Sequence, residues 1–473
     1  MSSCVPVKRV LMIAYLFPPV GGIGAAGAQR VLKFAKYLPC YGWEPLVLTV
    51  KEDAYEPYLA LDQTLLERVP PGTKVYRTRV IRWLTRLLLW RRQFLGLFRP
   101  QHNGQATPSG HQPAGNAPVQ KTWYQRLKDA MTDLFEIPDE EMGWFLPAVA
   151  RGLSVISREE IAVIYSTGRP WTAHLIGVAL KALTGKPLVV DFRDPWLTNQ
   201  FRPQYSGLRE RLEAACERTV IQQADLVIAN TEELKSEFQQ RFPEQPAGKF
   251  MALLNGYDPD DYPAEQPVPS EPNGKPFTVT HTGFLYGKRD PKCFLEAVKA
   301  LMRRQAVDPK TIRVRLVGTV ELPYDLQGYL RQSNLDRIVT LHGQVPYQQS
   351  LSYLRSTDLL LLLQPGTKTQ VPSKLFDYIG MGKPILAISP KDGATSLLVA
   401  REGLGVVADP DRVEEIAGTL ETIYQNWRSG VPLHAGYQRA YQKFNVKVMA
   451  HILADRLDQL TSHRAGPGSR PIG

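Results

Sequence analysis

Asp258–Pro276 reads D-P-D-D-Y-P-A-E-Q-P-V-P-S-E-P-N-G-K-P, with six prolines and almost no aliphatic residues. Proline fixes φ and removes a backbone donor, so neither a helix interior nor a central strand takes this density. The stretch reads as a linker, and Asp258-Pro259-Asp260 as linker chemistry rather than a metal-binding D-x-D. On both sides of it the pattern is regular. Before it, Val10–Ala14, Leu46–Val50, Ala162–Tyr165, Leu188–Asp191 and Leu226–Ala229 are short apolar runs separated by helical segments. After it, Thr278–His281, Arg313–Val317, Ile338–Leu341, Leu359–Leu363, Ile385–Ile388 and Gly405–Val407 repeat the rhythm. Such alternation predicts parallel sheets covered by helices. The fold class is therefore α/β, with parallel-sheet domains at 1–257 and 277–430 joined by the linker 258–276. Residues 431–462 are expected to form a helix packing back on the first domain, and 463–473 a flexible tail.

The chain has 473 residues, 43% hydrophobic and 22% charged. This is ordinary globular usage and excludes disordered, collagen-like and disulfide-stapled classes. Lys and Arg outnumber Asp and Glu by 57 to 46, a net charge of +11. The balance suits phosphates, nucleic acid or an acidic membrane without choosing among them, but no nucleic-acid recognition module is present. Cys4, Cys40, Cys216 and Cys293 are widely separated, as in reduced thiols of a cytosolic protein. Lys8-Arg9 and the apolar run to Phe17 imitate a signal peptide. Pro18-Pro19 break the run and a helix follows at once, so a buried first strand is the better reading. No stretch approaches the roughly 20 apolar residues of a membrane span.

One segment departs from the alternation. Arg77–Arg99 carries Arg77, Arg79, Arg82, Arg86, Arg91, Arg92 and Arg99 and no acid, interleaved with Trp83, Trp90, Phe94, Phe98 and leucines. It is too charged to cross a bilayer, and its composition is that of a helix lying on an anionic interface. The alternative is an arginine-rich helix packed on its own domain. Gln101–Gln120, rich in Gly, Pro, Asn and Gln, reads as a flexible loop. Together they make a basic, aromatic insert at about 77–125 and predict peripheral attachment to the inner membrane face.

Three stretches carry chemistry. Gly22-Ile-Gly24-Ala-Ala-Gly27 is a formal G-x-G-x-x-G. A dinucleotide site is disfavoured, because Tyr15–Gly21 separate the motif from its strand and neither Glu44 nor Glu52 stands where the ribose acid belongs. A glycine loop opening a helix still offers N–H groups to a phosphate, which makes Gly22 and Gly24 candidate phosphate contacts. Val189–Trp196, V-V-D-F-R-D-P-W, sets Arg193 and Asp194 at the carboxyl end of a strand, the edge that lines a ligand crevice. In Pro372–Pro384, P-S-K-L-F-D-Y-I-G-M-G-K-P, Ser373 suits an N-cap, and Lys374 and Asp377 share a helix face. A cation at a helix start opposes the macrodipole, and a bound anion explains it.

At these residues the chain resembles retaining glycosyltransferases of the family-4 type, with the GT-B fold, in the branch that builds bacterial surface polysaccharides. The resemblance rests on Y-L-F-P-P-V-G-G-I-G (Tyr15–Gly24), D-F-R-D-P-W, A-D-L-V-I-A-N-T (Ala224–Thr231) and L-N-G-Y-D (Leu254–Asp258). In the second half it rests on H-T-G-F-L-Y-G-K-R-D-P (His281–Pro291) and on S-K-L-F-D-Y before G-K-P. It implies two Rossmann-like domains facing across a cleft that holds a nucleotide-sugar. Arg289, or its neighbour Lys288, would contact the diphosphate with Lys374. Gly343–Val345 would hold the base, and Asp377 the ribose. The family's other acid falls on Thr369 and is missing. The histidine that many members carry after the strand ending at Tyr165 is replaced by Ser166-Thr167-Gly168-Arg169-Pro170, and its role is not carried over to His174. Thr167, Arg169, Arg193 and Asp194 are left as acceptor or cleft residues.

The resemblance implies transfer of a hexosyl or hexosaminyl group from a nucleotide-sugar to a lipid-linked or polysaccharide acceptor, with no metal and no cofactor. The rivals are a nucleotide-sugar epimerase of related fold and a non-catalytic GT-B-like binding subunit.

Overall fold

A computed structural model of the protein describes residues 7–21, 25–56, 59, 61–81, 137–199, 202–203, 205, 207–262, 274–431 and 437–462. Gly22, Gly24, most of the arginine-rich insert, residues 263–273 of the proline-rich stretch and the 463–473 tail lie outside them.

The first domain is built on strands β1 (Lys8–Ile13), β2 (Trp43–Val50), β3 (Lys74–Thr78), β4 (Ile161–Gly168), β5 (Leu188–Phe192), β6 (Leu226–Ala229) and β7 (Phe250–Ala252). They form one sheet in the order β3-β2-β1-β4-β5-β6-β7. Every pairing is parallel. Its helices are α1 (Ala25–Tyr37), α2 (Phe145–Arg158), α3 (Thr172–Thr184), α4 (Gly207–Gln223) and α5 (Glu232–Arg241). The order reverses between β1 and β4, and in such sheets ligands bind at that switch point, outside the carboxyl ends of the strands.

The second domain contains β8 (Phe277–Thr282), β9 (Leu285–Tyr286), β10 (Ile312–Val317), β11 (Val320–Glu321), β12 (Val339–His342), β13 (Leu359–Leu363), β14 (Ile385–Ile388) and β15 (Gly405–Ala408). Six of them form a parallel sheet ordered β12-β10-β8-β13-β14-β15, and β11 pairs with β9. β13 is five successive leucines, all buried, as expected of a central parallel strand covered on both faces. Its helices are α6 (Lys292–Arg303), α7 (Leu326–Gln332), α8 (Tyr347–Arg355), α9 (Lys374–Met381), α10 (Ala394–Arg401) and α11 (Val413–Arg428).

The chain ends in α12 (Tyr437–Lys443) and α13 (Val446–Ser462). The expected single terminal helix is thus two. The Asn445 side chain accepts from the Lys447 N–H at 2.9 Å and starts α13 as an N-cap does. α13 buries Met449, Leu453 and Leu457 against Phe34, Tyr37 and the first sheet.

The two chain crossings between domains are bonded to each other. Tyr257 N donates to the Phe444 carbonyl and Val446 N to the Tyr257 carbonyl, each at 3.0 Å. Asp258–Tyr262 are therefore built in, which corrects the reading of Asp258-Pro259-Asp260 as free linker. Asp258 is buried and takes the Tyr37 hydroxyl at 2.5 Å and the Lys36 ammonium at 2.9 Å. Buried carboxylates need such partners.

Arg77 is a second correction. It belongs to β3 and donates to the carbonyls of Pro18 at 2.6 Å and Val50 at 3.2 Å. It is a structural arginine, not part of a membrane-facing set.

Candidate active site

The carboxyl ends of both sheets face one cleft of about 800 Å³. Its second-domain wall begins at two glycines. Gly283 follows β8 with φ +144°, and a Cβ there would stand 2.3 Å from Lys374 Nζ. Gly318 follows β10 with φ +136°, and its Cβ would stand 2.3 Å from the Gly283 carbonyl oxygen. Both φ values favour glycine, and at Gly318 the neighbouring backbone also leaves no room for a side chain. Above them sits Lys374, the first residue of α9. Burial lowers its ammonium to about 8 against the pull of Asp377, and the like charge of Arg289 acts in the same direction as burial. Lys374, Arg289 and Asp377 all line the cleft. The Arg289 guanidinium lies 5.4 Å from the centre of the Tyr286 ring. His281, on β8, gives Nδ1 to the Leu361 carbonyl at 2.9 Å, and burial lowers it to about 3, so it is neutral.

Asp377 Oδ1 accepts the Tyr262 hydroxyl at 3.0 Å, with the Tyr347 hydroxyl at 3.5 Å. Val345 lies in the loop after β12 and also lines the cleft. Lys288 and Gly343 are exposed and are not among the cleft-lining residues. In the turn at Arg289, whose N–H bonds the Tyr286 carbonyl at 2.8 Å, Arg289 lines the cleft while its neighbour is solvated.

The first-domain wall centres on Arg30 and Asp191. Arg30 gives Nε and Nη2 to the two Asp191 oxygens at 2.8 and 2.9 Å, and Nη2 also reaches the Leu253 carbonyl at 2.9 Å. Asp191, fully buried, also accepts from the Tyr165 and Thr167 hydroxyls. Thr167 is thus under the wall rather than on it. Arg30 and Lys33 read from sequence as the polar face of α1, yet both are buried. Lys33 bonds the Gly256 carbonyl at 2.8 Å. That face turns toward the hinge, a fact that helical periodicity does not encode.

Arg193 donates to the carbonyls of Gly168 at 2.8 Å and Arg169 at 2.6 Å. Burial lowers its pKa, opposed by Asp194 and Asp191. A Cβ on Gly27 would stand 2.0 Å from its Nη1, so the last glycine of the G-x-G-x-x-G serves close packing. Arg169, Arg193 and Asp194 line the cleft. His174 is fully buried on Ser166, 2.9 Å from its hydroxyl, and is not among the cleft-lining residues.

Between the walls, the Gln370 amide donates to Asp194 at 2.9 Å and the Thr231 hydroxyl to the Thr369 carbonyl at 2.7 Å. Sequence reasoning did not single out Tyr262, Tyr347, Arg68 or Gln370. Their roles come from partners far away in the chain, and no motif signals them. Among the described residues no group of three His, Cys, Asp or Glu is disposed to hold a metal ion.

Two parallel-sheet domains closing on a cleft with a cationic second-domain wall define the GT-B class. Residues 105–256 match the model of a glycosyl transferase 4-like domain and residues 276–426 that of glycosyl transferases group 1. The chain belongs to the family-4 type of GT-B glycosyltransferases. It is 24% identical over 262 residues to the D-inositol 3-phosphate glycosyltransferase of Gordonia bronchialis, covering 48% of this chain and 55% of that protein. The match therefore spans about half the length of this curated relative. Among solved structures, Anabaena HepE in complex with UDP is 18% identical with a TM-score of 0.59, over 96% of this chain and 100% of that one. The sucrose-phosphate synthase of Thermosynechococcus elongatus is 15% identical with a TM-score of 0.60, over the same shares. These likenesses establish the fold.

Proposed function

We propose that the protein is a retaining, metal-independent glycosyltransferase. It moves a hexosyl or hexosaminyl group from a nucleotide-sugar to a lipid-linked or polysaccharide acceptor at the cytoplasmic membrane face. The observation that carries this reading is the meeting of Arg289 and Lys374 in the cleft, with Asp377 one helical turn beyond Lys374. A donor's diphosphate takes the two cations and its ribose the carboxylate. Relatives of the same fold bind such donors: HepE has been solved with UDP and with UDP-glucose.

The reaction breaks the bond from the sugar's anomeric carbon to the phosphate oxygen, and the electron pair leaves with the nucleoside diphosphate. Charge grows on that oxygen in the transition state, where fixed cations contribute most. The cleft carboxylates have other partners: Asp62 accepts from Thr64 N–H, Asp194 from Gln370 and Asp377 from Tyr262. With Asp377 assigned to the ribose and no carboxylate assigned as nucleophile, the step is front-face attack. The acceptor oxygen bonds to the anomeric carbon on the side the phosphate leaves, and its proton passes to the departing phosphate oxygen.

Membrane attachment rests on the sequence of the basic, aromatic insert, since residues 82–99 lie outside the described ones. Among the described residues no helix is long and apolar enough to cross a membrane.

The test incubates purified protein with a panel of nucleotide-sugars and membrane lipid extract, in excess chelator, and measures nucleotide release and product stereochemistry. Release from one donor with retention is expected. No release from any donor, or activity absent in chelator and restored by Mg²⁺ or Mn²⁺, would overturn the reading. Sedimentation with anionic vesicles at low salt and partial release at high salt tests the membrane part.

A further inference from the structure

Arg68 ends a short 3-10 turn in the first domain, Gln63–Arg68. Its Nη2 donates to both oxygens of Asp261, at 2.8 and 2.7 Å, and lies 3.5 Å from Asp258. Asp261 belongs to the segment that crosses between domains and is buried. Its Oδ2 also accepts the Tyr347 hydroxyl at 3.1 Å. Tyr347 opens α8 in the second domain and lines the cleft. The same hydroxyl stands 3.5 Å from Asp377 Oδ1, which holds the Tyr262 hydroxyl at 3.0 Å. The Arg68 guanidinium covers the Tyr347 ring at 5.0 Å, and Arg355 holds the Asp261 carbonyl at 2.8 Å.

The Tyr347 hydroxyl is therefore bonded to the carboxylate at the hinge and stands at the edge of hydrogen-bond reach of the one in the cleft. Burial and the charges of Asp377 and Asp261 hold the Tyr347 hydroxyl well above its ordinary pKa, so it stays a donor. Arg68 compensates Asp261, which leaves the hydroxyl available to both acids. Without the arginine, an uncompensated carboxylate at the hinge would draw that proton away from Asp377.

We infer that Arg68, Asp261 and Tyr347 form an interdomain latch that sets the enzyme's ribose specificity. Tyr347 is a positioning residue: with Tyr262 it orients the Asp377 carboxylate toward the ribose hydroxyls, and Arg68 ties that orientation to closure of the domains. This rests on the reading of Asp377 as the ribose acid.

The test is calorimetric titration of the full chain with UDP, GDP and ADP, and with the 2′-deoxy and 3′-deoxy forms of whichever binds. Wild type is expected to prefer the ribose form. Tyr347→Phe should reduce that preference by roughly twofold to tenfold, the worth of one hydrogen bond. Arg68→Gln should reduce it in the same direction although Arg68 lies outside the cleft lining, and the double variant should lose less than the product of the two. Donor KM should rise while kcat holds. Arg68→Lys, which keeps the charge but removes the guanidinium from the Tyr347 ring, carries the interdomain arm if Arg68→Gln does not fold. A role in packing alone would weaken ribose and deoxyribose forms equally. Wild-type preference in Tyr347→Phe, or in the folded Arg68 variant, overturns the latch and leaves the donor site standing. A wild-type protein that binds none of the nucleotides overturns both.

Discussion

The Thr231 hydroxyl donates to the backbone carbonyl of Thr369 across the domain gap at 2.7 Å. The same oxygen accepts the Leu234 N–H at 3.0 Å and caps α5. The loop after β13 is thus fastened to the first domain at the residue where related enzymes are expected to place an acid. The bond uses the backbone of Thr369, not its side chain. Gln364 and Gln370 of this loop line the cleft, and Thr369 is not among the lining residues. Thr369→Glu should leave affinity for free nucleoside diphosphate within about twofold of wild type. Gln370→Ala, which strips Asp194 of its amide partner, should slow transfer on the order of tenfold. A gain in rate for Thr369→Glu would mean that the missing acid limits the enzyme.

Arg289 and Lys374 should each matter to the phosphates more than to the fold. Charge-assisted hydrogen bonds are worth about 1.5–3 kcal/mol. Arg289→Ala and Lys374→Ala should therefore weaken nucleoside diphosphate binding roughly tenfold or more, with near-wild-type melting temperatures. Unchanged affinity in both variants would remove these residues from the donor site.

Much of this was legible because parallel strands announce themselves. Leu359–Leu363 is a continuous apolar run for the physical reason that both of its faces are covered. Lys74–Thr78 was not legible as a strand: it is an edge strand with a single buried residue, so its side chains look like loop. Lys374 and Asp377 were visible because their spacing is local. Asp258 was not, because six prolines signal a linker while its partners Lys36 and Tyr37 come from a helix more than two hundred positions earlier. The tyrosines around Asp377 are hidden for the same reason. Arg30 and Lys33 carried helical periodicity that gave their helix but not the neighbour they face.

Gly283 offers a test of the cleft wall that substitutes neither cation. A Cβ there would fall 2.3 Å from Lys374 Nζ, at a φ of +144° that side chains rarely adopt. Gly283→Ala should displace the ammonium and weaken nucleoside diphosphate binding about as much as Lys374→Ala. The double variant should be little worse than either, because both act on one contact. Fully additive losses would show that Gly283 serves something other than Lys374.

The pH dependence of binding isolates Lys374 most directly. In the free protein its ammonium titrates at about 8, below the ordinary lysine value of 10.5. Below that pH the charge is present before the ligand arrives. Above it the free side chain is neutral, and a bound diphosphate, which favours the ammonium, must draw a proton from solution. Affinity should therefore hold steady up to near pH 8 and then fall, by as much as about tenfold per pH unit, until the raised pKa of the complex is reached. Lys374→Arg keeps its charge throughout this range. Its absolute affinity should differ from that of wild type, but the decline above pH 8 should vanish. Titration calorimetry in buffers of different ionisation heat counts the proton: uptake should grow above pH 8 in wild type and be absent in Lys374→Arg. Parallel declines in the two proteins would assign the titration to another group.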